Sequence, residues 1–177
     1  MKQQLILASG LAVAAATGAA EAPFQLSLTP DIAIQDRSTF IRGVSLGIWS
    51  ENPQQSLALG IVNGSTGESS GFSWAFGLNY AEDYTGVHWA MINYASGRFK
   101  GWQAAFVNIS GDSFTGLQLG GINVAQDVSG VQLGFVNYTE KLHGLQLGFV
   151  NIATDNPWFD EFPDKLAKGF PFVNWSF

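Results

Sequence analysis

The chain has no cysteine, which excludes disulfide staples, thiolate zinc centres, a catalytic thiol and an acylated N-terminal cysteine as a membrane anchor. Charge is scarce. Only 12% of the 177 residues are Asp, Glu, Lys or Arg, and the eight basic side chains are scattered against fourteen acidic ones, for a net charge of -6. A protein that neutralises phosphates needs a basic stripe or patch, so nucleic acid is excluded as a partner. Histidine occurs twice, at His88 and His143. What the chain does have is apolar mass (46%), aromatic rings (14%) and 21 glycines, a mixture too apolar for a disordered tail and sized for one domain.

Residues 1–20 read as an export leader. Lys2 precedes an apolar run from Leu5 to Ala16, and the small residues Thr17-Gly18-Ala19-Ala20 place cleavage after Ala20. A transmembrane anchor is the rival reading, but the run ends after roughly 15 residues where a spanning helix needs about 20. No later segment is a candidate spanning helix. Residues 21–177 then form a single β domain, with seven basic residues (eight less Lys2) and fourteen acidic ones. Such an exported chain is either soluble outside the cell or crosses a membrane as strands.

A short unit repeats over residues 57–152. Gly71, Gly86, Gly101, Gly116, Gly130 and Gly144 are spaced 15, 15, 15, 14 and 14 apart, and each unit carries an asparagine at a matching place: Asn79, Asn93, Asn108, Asn123, Asn137 and Asn151. Within each unit the residues alternate with period two, which together with the glycine frequency excludes helix. One parity is bulky and apolar, as in Phe72, Trp74 and Phe76, or Val131, Leu133 and Phe135. The other is small or neutral-polar: Gln118 with Gly120, Gln132 with Gly134. Charged and turn-forming residues such as Glu82-Asp83, Asp112, Asp127 and Glu140-Lys141 separate the units.

Two architectures use such a unit. In an antiparallel transmembrane β-barrel each unit is one strand, with bulky side chains facing lipid and glutamine and glycine facing a lumen. In a parallel β-solenoid each unit is a coil of 14–15 residues, and the asparagines stack. A packing argument favours the barrel: stacked coils would superpose Trp74, Trp89, Ala104 and Leu119, and a close-packed core does not accept tryptophan beside alanine at one level. About ten strands are expected, from residues 23 to 33 through 169 to 177, with eight as the alternative count. One detail fits poorly. In most units the asparagine shares parity with the lipid-facing residues, and a bulge just before it would be needed to turn it inward.

The last residues, Val173-Asn174-Trp175-Ser176-Phe177, alternate and end on an aromatic carboxy terminus. Here the sequence resembles small bacterial outer-membrane β-barrel proteins, whose closing strand ends in this pattern. The resemblance implies that Val173, Trp175 and Phe177 are a membrane-insertion signal read by the barrel-insertion machinery, with outer-membrane lipid as the other partner. The Gly-Leu-Gln-Leu-Gly-Phe-Val-Asn units are also similar to those of poorly characterised repeat-bearing bacterial surface proteins, a likeness that implies no activity.

Candidate chemistry is sparse. No Ser-His-Asp grouping or carboxylate pair accompanies His88, and single turn carboxylates do not converge as a calcium site requires, so no catalytic residue, metal or cofactor is expected. His88, Gln103, Gln118, Gln132 and Gln146 are expected to line the lumen, which is neutral and either plugged or weakly conducting. Trp158, Phe159 and Phe162 with Asp160 and Glu161, in the long connection 153–168, are the candidate ligand- or partner-binding residues. The expected role is that of a non-enzymatic outer-membrane barrel with a structural, surface-interaction or weakly conducting function. The alternatives are a secreted or surface-attached solenoid scaffold, and a barrel enzyme acting on lipid or peptide.

Overall fold

The structure, a computed structural model, describes residues 20–177. The predicted leader, residues 1–20, falls outside the described residues save for its last. The strands are β1 (Glu21–Thr29), β2 (Ile32–Ala33), β3 (Phe40–Asn52), β4 (Gln54–Trp89), β5 (Ile92–Ala95), β6 (Phe99–Leu133), β7 (Val136–Ala153) and β8 (Gly169–Ser176). Two of these, β4 and β6, run for 36 and 35 residues. A straight strand of that length would extend about 120 Å. These instead bend repeatedly and pair with the neighbouring turns of the same chain.

Successive units lie parallel. Asn79 pairs with Asn93, Asn93 with Asn108, Gly86 with Gly101, Gly130 with Gly144 and Gln132 with Gln146, each one repeat apart. Among the described residues, antiparallel strand pairing occurs where β2 folds back on β1 and where β8 closes on β7, with one isolated antiparallel bridge between Lys165 and Ser176. This is a parallel β-solenoid of about eight coils, and it overturns the ten-strand antiparallel barrel expected above. With the barrel goes the conducting lumen: the axis is filled by side chains. The segment Val173–Phe177 likewise closes no barrel, because β8 lies antiparallel on the last coil, with Trp175 opposite Leu145 and Val173 opposite Leu147.

Tryptophan beside alanine at one level, which disfavoured a solenoid, is accommodated because that column is not the core. Trp74, Trp89, Ala104, Leu119 and Leu133 do stack coil upon coil, but on the outward side, where no constant volume is required; of the five only Ala104 is buried. The inside is mainly polar, and most of its larger side chains are amides. Asn63, Asn79, Asn93, Asn108, Asn123, Asn137 and Asn151 form a continuous ladder in which each Nδ2 donates to the next Oδ1 at 2.8–3.2 Å. From Asn93 to Asn137 the same amide also donates to a backbone carbonyl of the following coil, as Asn108 does to Leu119 at 3.0 Å and Asn123 to Leu133 at 2.9 Å.

Those carbonyls lie where the chain turns a corner. Strand pairing is interrupted at Ala90–Met91 and at the equivalent Gly134–Phe135. The parity break required to bring asparagine inside therefore exists as a corner between two sides of a coil. A second ladder runs the other way: Gln118 Nε2 donates to Gln103 Oε1, Gln132 to Gln118 and Gln146 to Gln132, at 2.7–2.8 Å. Buried amides are tolerated because nearly every donor and acceptor is matched to an identical group one coil away.

The apolar core is confined to one corner. Tyr84, Phe99 and Phe114 stack with ring centroids 5.6 and 5.8 Å apart, and Val128 and Leu142 continue the column against Ala81, Ala95, Ala125 and Ala153. The repeated glycine that follows this column by two residues is forced by geometry. Gly116 has φ of 131°, and a Cβ there would lie 2.0 Å from the carbonyl oxygen of Gly101.

Candidate functional site

Each coil is sorted into zones by position. Between residues 57 and 152 every charged side chain falls in the short connections 66–70, 82–85, 96–100, 111–115, 126–129 and 140–143. Stacking these connections makes one edge of the solenoid charged. Arg98 is its centre, bridging Asp83 at 3.0 Å and Glu68 at 3.7 Å, while Lys141 approaches Asp127 at 3.8 Å. Hydrogen bonds from Arg98 hold the Asp83 carboxyl below the usual carboxylate range. A cleft of about 360 Å³ opens on this edge beside Glu68, Asp83, Arg98 and Lys100, whose charges largely offset one another.

The opposite edge is the corner between the two long sides, and it is apolar. Phe76, Met91, Phe106, Phe135 and Phe149 form a row along it, each 57–69% exposed. Phe135 stacks on Phe149 at 5.2 Å. On one flank stand Trp74, Trp89 and Trp102, partly exposed, and on the other Tyr80, Tyr94 and Tyr138. Tyr80 is tied down: its hydroxyl donates to Glu51, accepts from Trp49 Nε1 at 3.0 Å, and its pKa is pushed up to about 12, by burial first and then by the Glu51 bond. An apolar trough of about 400 Å³ lies between Leu119, Leu133, Phe135, Phe149 and Phe172.

Leaving these rings in water is costly. With aromatic side chains of roughly 200 Å², two-thirds exposure keeps more than about 100 Å² of each phenylalanine hydrated, or about 2–3 kcal/mol per ring by area. A row of five large apolar side chains along one edge is far more than the single exposed apolar residues scattered over ordinary surfaces, and marks an interaction site.

The residues singled out from sequence are dispersed over this frame. His88, Gln103, Gln118, Gln132 and Gln146 are brought together, fully buried in one interior column rather than around a channel. His88 breaks that column. Neither ring nitrogen has a hydrogen-bond partner, and Gln103 Nε2, which would meet a glutamine there, has none either. The ring sits against Tyr84, with centroids 4.0 Å apart, and against Phe99 at 5.0 Å. Burial drives its pKa down to about 3, so it is neutral.

The segment 154–168 is not a free loop. It runs across the C-terminal end of the solenoid, buries Asn156, Leu166 and Ala167, and is fixed by Trp175 Nε1 donating to Pro163 O at 2.8 Å. Trp158, Phe159 and Phe162 are about half exposed, and Phe159 and Phe162 rest on Phe170 and Trp175, while Asp160 and Glu161 face solvent. They belong to an end cap. Val173, Trp175 and Phe177 belong to the same cap. Among the described residues no cluster of three or more His, Asp or Glu is placed to hold a metal ion.

Sequence reasoning assigned the bulky residues outward but missed the Phe76–Phe149 row as a separate edge, because a barrel distributes lipid-facing residues around its whole girth. The signal was present: these residues occupy one fixed position per unit, and all but Phe76 immediately precede a parity break. Fold and surface together define a parallel β-solenoid with an amide interior and a two-edged amphipathic exterior. Comparison with family models, curated proteins and solved structures gave no match.

Proposed function

We propose that the protein is a non-enzymatic binding scaffold of the bacterial cell surface, exported by its leader and acting through the side of the solenoid rather than through a pocket. The observation that carries this reading is the apolar row from Phe76 to Phe149, interrupted only at Gly121, set opposite the charged edge on a frame whose buried amides are largely paired with one another. The frame is regular, each coil contacts only its neighbours, and the exterior is an extended surface of repeated side chains, which is the usual way solenoids present a binding site. His88 and the Tyr84 hydroxyl, the interior groups with acid-base capacity among the described residues, are sealed from solvent and bonded to nothing, which supports a role without catalysis.

The test is cell fractionation of the full chain with its leader. The expected product is processed after Ala20 and retained on the envelope, while a variant with Phe76, Phe106, Phe135 and Phe149 replaced by serine folds with unchanged β-sheet circular dichroism but is released. Retention in the cytoplasm, or envelope attachment indifferent to the four substitutions, would overturn the reading.

A further inference from the structure

We infer that the partner of the apolar edge is the interfacial region of a phospholipid bilayer, on which the solenoid lies lengthwise without crossing it; this rests on the scaffold reading above and names its ligand. A membrane leaflet has three layers, hydrocarbon, an amphipathic belt that favours tryptophan and tyrosine, and charged water-facing headgroups. Taken along the stack, the cross-section carries the same three layers in order, with the aromatic shoulders contributed by some of the coils. Phe76, Phe106, Phe135 and Phe149 stand at the apex, Trp74 and Trp89 on one shoulder and Tyr94 and Tyr138 on the other, and the charges lie at the far edge.

Two further observations favour a fluid occupant over a protein surface. The shoulder column runs Trp74, Trp89, Ala104, Leu119, Leu133, Leu147 and the apex column includes Gly121, so the relief is uneven from coil to coil, which acyl chains fill without fixed complementarity. The trough between Leu119, Leu133, Phe135 and Phe149 is open and mainly apolar. Contact with hydrocarbon leaves few backbone groups unsatisfied there, since the main-chain polar groups are largely paired with the coils on either side. Among the described residues no basic patch borders the edge, so attraction is apolar rather than electrostatic.

The experiment is flotation of the exported, purified chain with vesicles of phosphatidylcholine alone and of phosphatidylcholine containing phosphatidylglycerol. The expected result is flotation with both, undiminished when salt is raised from roughly 0.1 to 1 M, because a bond without counterion release is not screened. Tryptophan emission should shift to the blue on binding. Phe106→Ser should lower vesicle partitioning about tenfold and the quadruple serine variant by at least a hundredfold, with thermal unfolding of Phe106→Ser unchanged as the folding control. Folded protein that does not float, flotation that the substitutions leave intact, or flotation abolished by salt would each overturn the inference. If instead the chain forms a discrete dimer in light scattering that Phe106→Ser dissociates, and does not float, the occupant is a second copy. The scaffold reading then survives; it fails separately, on the fractionation result.

Discussion

Replacing His88 by glutamine should stabilise the protein, although the residue is fully buried and substitutions of buried residues usually destabilise. A glutamine there continues the interior ladder: its Oε1 would accept from Gln103 Nε2, now unpartnered, in the geometry that Gln103 Oε1 offers Gln118 at 2.8 Å. Its own amide would meet the Tyr94 carbonyl, as Gln146 meets that of Ile152, six residues on, at 3.0 Å. Two hydrogen bonds contribute about 1 kcal/mol each, and relieving buried unpaired nitrogens adds about 1–3 kcal/mol. Against this stands loss of the ring contacts with Tyr84 and Phe99, about 0.5–1.5 kcal/mol per pair.

The net at neutral pH is about 1–3 kcal/mol in favour of glutamine, a rise in melting temperature of roughly 3–8 °C for a domain of this size. The pH dependence has a definite sign. His88 titrates near 3 when folded against an ordinary 6.5 when unfolded, so between those values only the unfolded chain takes up the proton. Wild-type stability is full above about pH 6.5 and falls as pH drops towards 3, by up to about 1.4 kcal/mol per unit. His88→Gln lacks this loss, and its advantage should widen on acidification. Thermal melts of both proteins by circular dichroism at about pH 7.5 and about pH 5 measure it. A variant less stable at both, or an advantage that does not grow at the lower pH, would refute the account of His88 as a neutral, unpartnered break in the ladder.

Other substitutions separate the frame from its surface. Gly116→Ala should cost roughly 2–4 kcal/mol, since it combines a strained positive φ with a Cβ 2.0 Å from the Gly101 oxygen; urea midpoints read it directly. Asn123→Ala removes a ladder rung together with the bond to the Leu133 carbonyl, and about 2–4 kcal/mol should go with it, against almost nothing for an exposed asparagine. Phe114→Ala, in the buried aromatic column, should cost about 3–5 kcal/mol, whereas Phe106→Ala on the exposed edge should change stability by less than about 0.5 kcal/mol; equal effects in the two melts would show that inside and outside have been misassigned.

Much of this arrangement was legible in the residues. The 14–15-residue period, the confinement of charge to short connections, and the division into outward Trp74, Phe76 and Phe135 and inward Gln118, Gln132 and Gln146 all hold in the structure. The aromatic column Tyr84–Phe99–Phe114 was hidden because these residues sit among turn residues rather than in the alternating part of each unit. His88 was read as lining a space, and its isolation became visible only when Gln103 was found one coil away.

Alternation of side chains determines which face of a strand each residue occupies, and the chain encodes that locally, residue by residue. It carries no information about whether the next strand runs back or forward, because an antiparallel barrel and a parallel coil place the same side chains on the same faces. That choice was made at the corner between Gly120 and Asn123. There the parity breaks, the asparagine amide turns inward to bind both its counterpart and a corner carbonyl, and the chain continues in the same rotational sense instead of reversing. Such a bond pairs groups one full coil apart, so only the assembled stack could decide it.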